Sequence, residues 1–230
     1  MLAFAPIDAA VGVAYDLVTR LAAALLPLAG AGSGAVAVIL FTMLVRLALL
    51  PLTIRQIRGD QARSRLAPRL TELRHKHGDD HEALGRAYRE LVSAEGAGPL
   101  AGCLPALAQA LVLMGLYASF TWSTVDGSGN ELLGYHLFGV SLGERWASFG
   151  LFGTADLVFL VLFALLAGLA WWSSSRLRRR MDATGPVRLM AWLPFGTVVA
   201  AAWLPLAAGL YLATSTAWTT AERALLTPRE

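Results

Sequence analysis

The run from Gly34 to Thr53, GAVAVILFTMLVRLALLPLT, is long and apolar enough to cross a bilayer, yet it carries one charge, Arg46. A spanning helix needs about 20 mostly apolar residues. An arginine near mid-membrane costs about 2.5–3.5 kcal/mol on insertion scales. A chain that keeps such a residue must hydrate it or pair it, so the remaining sequence reads as the housing for this guanidinium. An ionisable side chain inside a span marks a functional site by default.

The bulk properties agree with a membrane setting. Of 230 residues, 56% are hydrophobic and 15% charged, with a mean hydropathy of +0.56. Soluble domains carry about 25% charged residues, so an integral membrane protein is expected. Seven Trp and five Tyr suit interfacial anchoring. The single Cys103 excludes an internal disulfide and reads as a small packed hydrophobe. No cleavable signal peptide is expected, because MLAFAPIDAA has no basic n-region and Asp8 and Asp16 interrupt the apolar stretch. Nor does that segment hold a cysteine to accept lipid.

Outward from the first span (34–54), the N-terminal side (1–33) predicts an interfacial helix. Ile7, Val11, Ala14, Val18, Leu21, Leu25 and Leu28 fall on one face, with Asp8, Asp16, Thr19 and Arg20 on the other. An irregular first span is the alternative. Pro27 and the Gly30–Gly34 run end that helix. On the other side, residues 55–98 hold nine Lys/Arg and seven Asp/Glu with thin apolar stripes at helical spacing. They read as a charged antiparallel hairpin in water, broken at His77–Asp80, with Pro68 kinking or restarting its first helix.

A second span follows at 99–121, interrupted by Pro105, and then a mostly polar loop at 122–152 with one basic residue, Arg145. The third span (153–173) stops at Arg176, Arg178, Arg179 and Arg180, in the loop 174–187. The last apolar stretch is too long for one span. The Trp203-Leu204-Pro205 break favours a tight hairpin of two short helices, a fourth span at 188–203 and a fifth at 204–222, before a tail at 223–230. Lys/Arg bias then puts the hairpin, the 174–187 loop and the C-terminus inside, and the N-terminus and the 122–152 loop outside.

Catalytic signatures are lacking: there is no GxSxG, HExxH or P-loop, the spans hold no His, and their one acidic candidate, Asp156, lies at an outer end. An enzyme is not expected, nor a cofactor. HKHGDDH (His75–His81) offers imidazoles and carboxylates but no structural-zinc spacing, and reads as a solvated hairpin tip rather than a metal site. RLRRR (Arg176–Arg180) reads first as a positive-inside stop, which needs no partner, and contact with ribosomal RNA phosphates is the compatible second reading. Around Arg46 the polar residues gather: Thr42, Arg46 and Thr53 share one helical stripe, while Tyr211, Ser215, Trp218 and Glu222 form a second at spacing 4-3-4. Gln109 adds a carboxamide from the second span. These groups are expected to converge on a wet cavity; an arginine satisfied by neighbouring carbonyls, with no substrate role, is the bland alternative.

In these residues the chain resembles the YidC/Oxa/Alb membrane protein insertases. LVRLALLPLTIRQ (Leu44–Gln56) resembles the family's first core span and its groove arginine. The 55–98 hairpin resembles its cytoplasmic hairpin, and GPLAGCLPALAQ (Gly98–Gln109) is close to its NPLxGCLPxLxQ motif. MAWLPF (Met190–Phe195) resembles its fourth span and LPLAAGLYLATSTAW (Leu204–Trp218) its PAGLxLYWxxSNxxW fifth. Gly98, Leu212, Thr216 and Glu222 depart from the pattern, standing where Asn, Trp, Asn and Gln are common. No counterpart is expected to the large periplasmic domain of Gram-negative members or the lipid-modified N-terminus of many Gram-positive ones, and only a very short basic tail is expected.

The resemblance implies an all-α, five-span bundle in the bacterial cell membrane, enclosing a hydrophilic groove open to the cytoplasm and lipid. It further implies an insertase and chaperone for newly made membrane proteins. Substrate tails would contact Arg46, Thr42, Thr53, Gln109, Tyr211, Ser215 and Trp218. The hairpin, through Arg63, Arg69, Arg74 and Lys76, would recruit substrate and engage the ribosome or Sec translocon, a monomer sufficing among the membrane lipids. A small anion transporter using Arg46 is the rival reading, and it predicts inverted repeats that the sequence lacks. A non-catalytic assembly scaffold is the other.

Overall fold

Two helices, α1 (Ala5–Ala29) and α2 (Ser33–His77), open the chain and are joined by a Gly30–Gly32 3-10 turn. Gly30 sits at φ 52, the left-handed conformation with which helices commonly end. The computed structural model describes residues 5–77, 80, 82, 85–86, 104–125, 128–148, 154–180 and 192–226. Further helices are α3 (Leu104–Ser119), α4 (Thr154–Arg180), α5 (Phe195–Ala201) and α6 (Leu206–Leu226). Among the described residues, two helical stretches each contain an 18-residue window apolar enough to cross a membrane: Asp8–Gly59, with a window mean hydropathy of 2.4, and Asp156–Arg176, with 2.1.

The chain divides into two compact units, Met1–Leu47 with Leu111–Leu225, and Ala48–Ala110 with Leu226–Glu230. In the first, Val18, Val38, Leu116, Phe120, Leu166 and Leu206 are buried together. The α1 stripe expected to face the membrane interface is largely covered by protein: Ala14 and Val18 are buried in this core and Val11 in a smaller cluster with Ala118 and Val125, while Leu28 is 85% exposed. Gly115 makes the approach close, since a Cβ there would lie 2.9 Å from the Ala10 carbonyl oxygen.

In the second unit α2 runs on as helix through Pro51 to His77, so Pro68 does not restart it. Each proline removes one backbone donor, and a helix of 45 residues retains its bonds on either side. Arg63, Arg69, Arg74 and Lys76 lie on this helical extension. Most of the hairpin's second arm, and Gly78, Asp79 and His81 of its tip, fall outside the described residues. Pro105 lies within α3, and the segment before Leu104 falls outside the described residues.

The segment after α3 is no open polar loop. Strands β1 (Thr124–Val125) and β2 (Ser128–Gly129) pair antiparallel, as do β3 (His136–Leu137) and β4 (Val140–Ser141). Phe138 and Gly139, at φ 50 and 84, make the two-residue turn of the second hairpin. Leu132, Val140 and Leu142 are buried in the core of the first unit. Asn130 closes the end of α3, its Nδ2 donating to the carbonyls of Ser119 and Trp122 at 2.7 Å each. The hairpin is likewise tied to α6, whose first N–H groups lack intrahelical acceptors. Leu206 N–H donates to the Glu144 carbonyl at 2.8 Å and Ala207 N–H to the Leu142 carbonyl at 2.9 Å. Gly34 makes room for the same segment on α2: a Cβ there would meet Tyr135 Cβ at 2.6 Å.

The break at Trp203-Leu204-Pro205 does separate two helices, but they are unequal. The first, α5, has seven residues, and α6 has 21. The hydroxyls of α6 support its length, because Thr219 and Thr220 donate to the carbonyls of Ser215 and Thr216, at 2.9 and 2.7 Å. Past the apolar run, α4 continues to Arg180. Two of its arginines rest on indoles, Arg176 over Trp172 at 5.3 Å and Arg178 over Trp192 at 5.8 Å from the ring centroids. A tryptophan face attracts a guanidinium electrostatically, so these cations have a seat within the protein.

Candidate functional site

Arg46 occupies the first unit, one helical turn beyond Thr42 on α2, and it is buried, at 6% exposure. A buried guanidinium needs hydrogen-bond acceptors, since its charge is costly to strip of water. Among the described residues its hydrogen bonds all end on Ser215 of α6. Nε donates to Ser215 Oγ at 3.1 Å, and Nη2 donates to the Ser215 carbonyl at 2.8 Å and also to Oγ. The same carbonyl accepts from Thr219 Oγ1. A polar node therefore joins α2 to α6, and the partner that touches the cation is neutral.

The sequence stripes meet here. Thr42 is fully buried and its Oγ1 donates to the Val38 carbonyl at 2.7 Å, so its hydroxyl is spent within its own helix. Tyr211 is buried one turn before Ser215. One turn after it, Trp218 donates Nε1–H to Glu222 Oε1 at 2.7 Å. Thr53 and Gln109 belong to the second unit. There Thr53 is buried and donates to the Leu49 carbonyl at 3.2 Å.

Two groups escaped the sequence reading of the site. Thr219 shares the Ser215 carbonyl, and Ser173 of α4 lies 3.5 Å from Thr220, oxygen to oxygen. Ser/Thr spacing on α6 gave a signal for the first, but nothing in the sequence pairs 173 with 220. Glu222 belongs to the second stripe, though the sequence does not show its burial. In the structure it is buried at 6% exposure, and Oε2 has no hydrogen-bond partner among the described residues. It lies within electrostatic reach of Arg46. No group of three or more metal-ligating side chains occurs among the described residues.

Residues 28–229, which hold this whole arrangement, match the profile of the family described as 60Kd inner membrane protein. The chain belongs to the YidC/Oxa/Alb family. Its YidC-named relatives include the "Membrane protein insertase YidC" of Shewanella frigidimarina, 33% identical over 186 residues, which are 79% of this chain and 30% of that protein. The protein of that name from Clostridium perfringens is 35% identical over 119 residues, 51% of this chain and 47% of the relative. That of Agrobacterium fabrum is 27% identical over 207 residues, 86% and 34% of the two chains. The chain thus spans less than half the length of these curated relatives. For a YidC/Oxa/Alb member, membrane residence follows from the family's description and agrees with the apolar helices.

The node's contribution to folding is measurable apart from activity. Ser215→Val removes the hydroxyl that accepts from two guanidinium nitrogens and leaves the backbone carbonyl as sole acceptor. The expected loss is about 1–2 kcal/mol, the cost of a buried donor left unmade. Ser215→Thr, which keeps an Oγ, should lose much less. Thermal midpoints in detergent compare the two, and equal losses would mean that packing rather than the hydroxyl matters.

Proposed function

We propose that this protein is a membrane protein insertase and chaperone, using Arg46 as the fixed charge of a hydrophilic groove. The carrying observation is the burial of that arginine inside an apolar helix against a neutral partner, Ser215. A contacting neutral hydroxyl orients a guanidinium without cancelling its charge, so attraction remains for an acidic or polar tail. The kinship with proteins named membrane protein insertase supports the same reading.

In this reading the fold is a five-span bundle, with the N-terminus and the 122–152 loop outside and the hairpin and C-terminus in the cytoplasm. The groove opens to the cytoplasm and to lipid. The hydrogen bonds that tie the outer segment to the start of α6 favour closure on the outer side. A short fourth span, in which α5 has seven residues, thins the bilayer and shortens the crossing. An entering tail meets hydroxyls and a cation in place of bare hydrocarbon, and its desolvation cost falls. Its apolar segment then slides out along the helices into lipid. Nascent membrane proteins are the partners, with the ribosome and Sec translocon engaged through the charged hairpin. The step is transfer between phases, and no bond is made or broken.

Photocrosslinkers at Thr42, Gln109 and Ser215 test the proposal against a stalled nascent chain bearing a short outward tail. Crosslinks from all three positions are expected, together with reduced insertion of single-span, N-tail-out proteins on depletion. Absence of crosslinks, or normal insertion with an altered anion flux, would reject it in favour of a transporter.

A further inference from the structure

Glu222 is the one feature of the Arg46 node that an attraction for acidic tails leaves unexplained. A side chain at 6% exposure carries a carboxylate whose Oε1 is held by Trp218 and whose Oε2 has no hydrogen-bond partner among the described residues. Leaving a buried acceptor unmade is costly, and more so for a charged one. A cationic donor is the chemistry that satisfies it best.

Its place on α6 suggests where that donor comes from. Ser215, which fixes the guanidinium, precedes Glu222 by seven residues, so the two lie on one helix face about 10 Å apart along the axis. An extended chain covers that distance in about three residues. The start of α6 is tied to the 142–144 backbone, which puts Arg46 nearer the tied end and Glu222 nearer the other.

Resting on the insertase reading above, we infer that Glu222 binds a lysine or arginine of the substrate, making the site a two-charge reader of sequence order. A tail entering N-terminus first would seat an acidic residue at Arg46 and a basic residue about three positions later at Glu222. Acidic-x-x-basic tails are preferred, and basic-x-x-acidic tails of identical composition and net charge are not. The basic residue is thereby held back while the acidic one leads.

The test uses the full chain in proteoliposomes and two single-span substrates whose outward tails differ only in carrying Asp-x-x-Lys or Lys-x-x-Asp. The first is expected to insert about fivefold better, the discrimination available from one solvated ion pair. Glu222→Gln preserves the acceptor for Trp218 and should bring the ratio to about one. Glu222→Lys should invert it, which a folding defect does not do. Equal insertion of the two tails by the unaltered protein, with an acidic tail still favoured over a neutral one, would overturn this inference and leave the insertase reading standing. A ratio unchanged in Glu222→Gln would also overturn it. Failure of every tail to insert would remove the insertase reading itself.

Discussion

Arg46→Glu should cut insertion of acidic-tailed substrates at least tenfold while leaving neutral tails much less affected. Two unit charges about 4 Å apart interact by about 1 kcal/mol in water and about 4 kcal/mol near a protein surface. Reversing the sign turns that attraction into repulsion, and the introduced carboxylate also comes within reach of Glu222. Arg46→Lys keeps the charge but loses the planar fork that grips Ser215, so it should retain most activity on acidic tails at some cost in stability. Insertion measured over tails of graded charge separates the outcomes. An equal loss for acidic and neutral tails would show that Arg46 acts as a structural tie between α2 and α6 and not as a lure.

The second large effect is on folding. Gly115→Val should destabilise the first unit by about 2–3 kcal/mol, the upper range for overpacking. A Cβ at 115 meets the Ala10 carbonyl oxygen at 2.9 Å and Ala14 Cβ at 3.3 Å, so the obstruction includes backbone, which does not rotate away. Either α1 lifts from α3 or both helices shift, and the buried contacts of Val11 and Ala14 weaken together. Protease access to α1, followed in detergent, should rise in parallel with a fall in thermal midpoint. Gly209→Ala is the informative contrast, because the atom it meets is the far end of Leu162, 2.5 Å from the added Cβ. That side chain can turn aside, so a milder effect is expected.

These two positions show what the sequence disclosed and what it did not. Arg46 was legible because a charge in an apolar run is costly wherever the run folds, and Ser215 because polar residues at spacing 4-3-4 mark one helix face. Their contact joins residues far apart in the chain, and only the fold brings them within 3.1 Å. The role of Gly115 was not legible, since a glycine in an apolar helix looks the same whether it faces lipid or another backbone. The α1 stripe was found correctly as a stripe, but amphipathicity states which face is apolar and not whether protein or membrane covers it. The 122–152 segment read as polar loop because its described burial rests on a few residues, Leu132, Val140 and Leu142, set between turns too short for periodicity to register.

The ties between the 142–144 backbone and α6 also bear on how this protein is itself made. Leu206 and Ala207 find their backbone acceptors at Glu144 and Leu142, which leave the ribosome well before α6 does. The last helix therefore arrives at a docking edge already synthesised, with acceptors waiting for donors that its own helix cannot satisfy. Synthesis order and bonding order agree: the start of α6 pairs with backbone that precedes it in the chain.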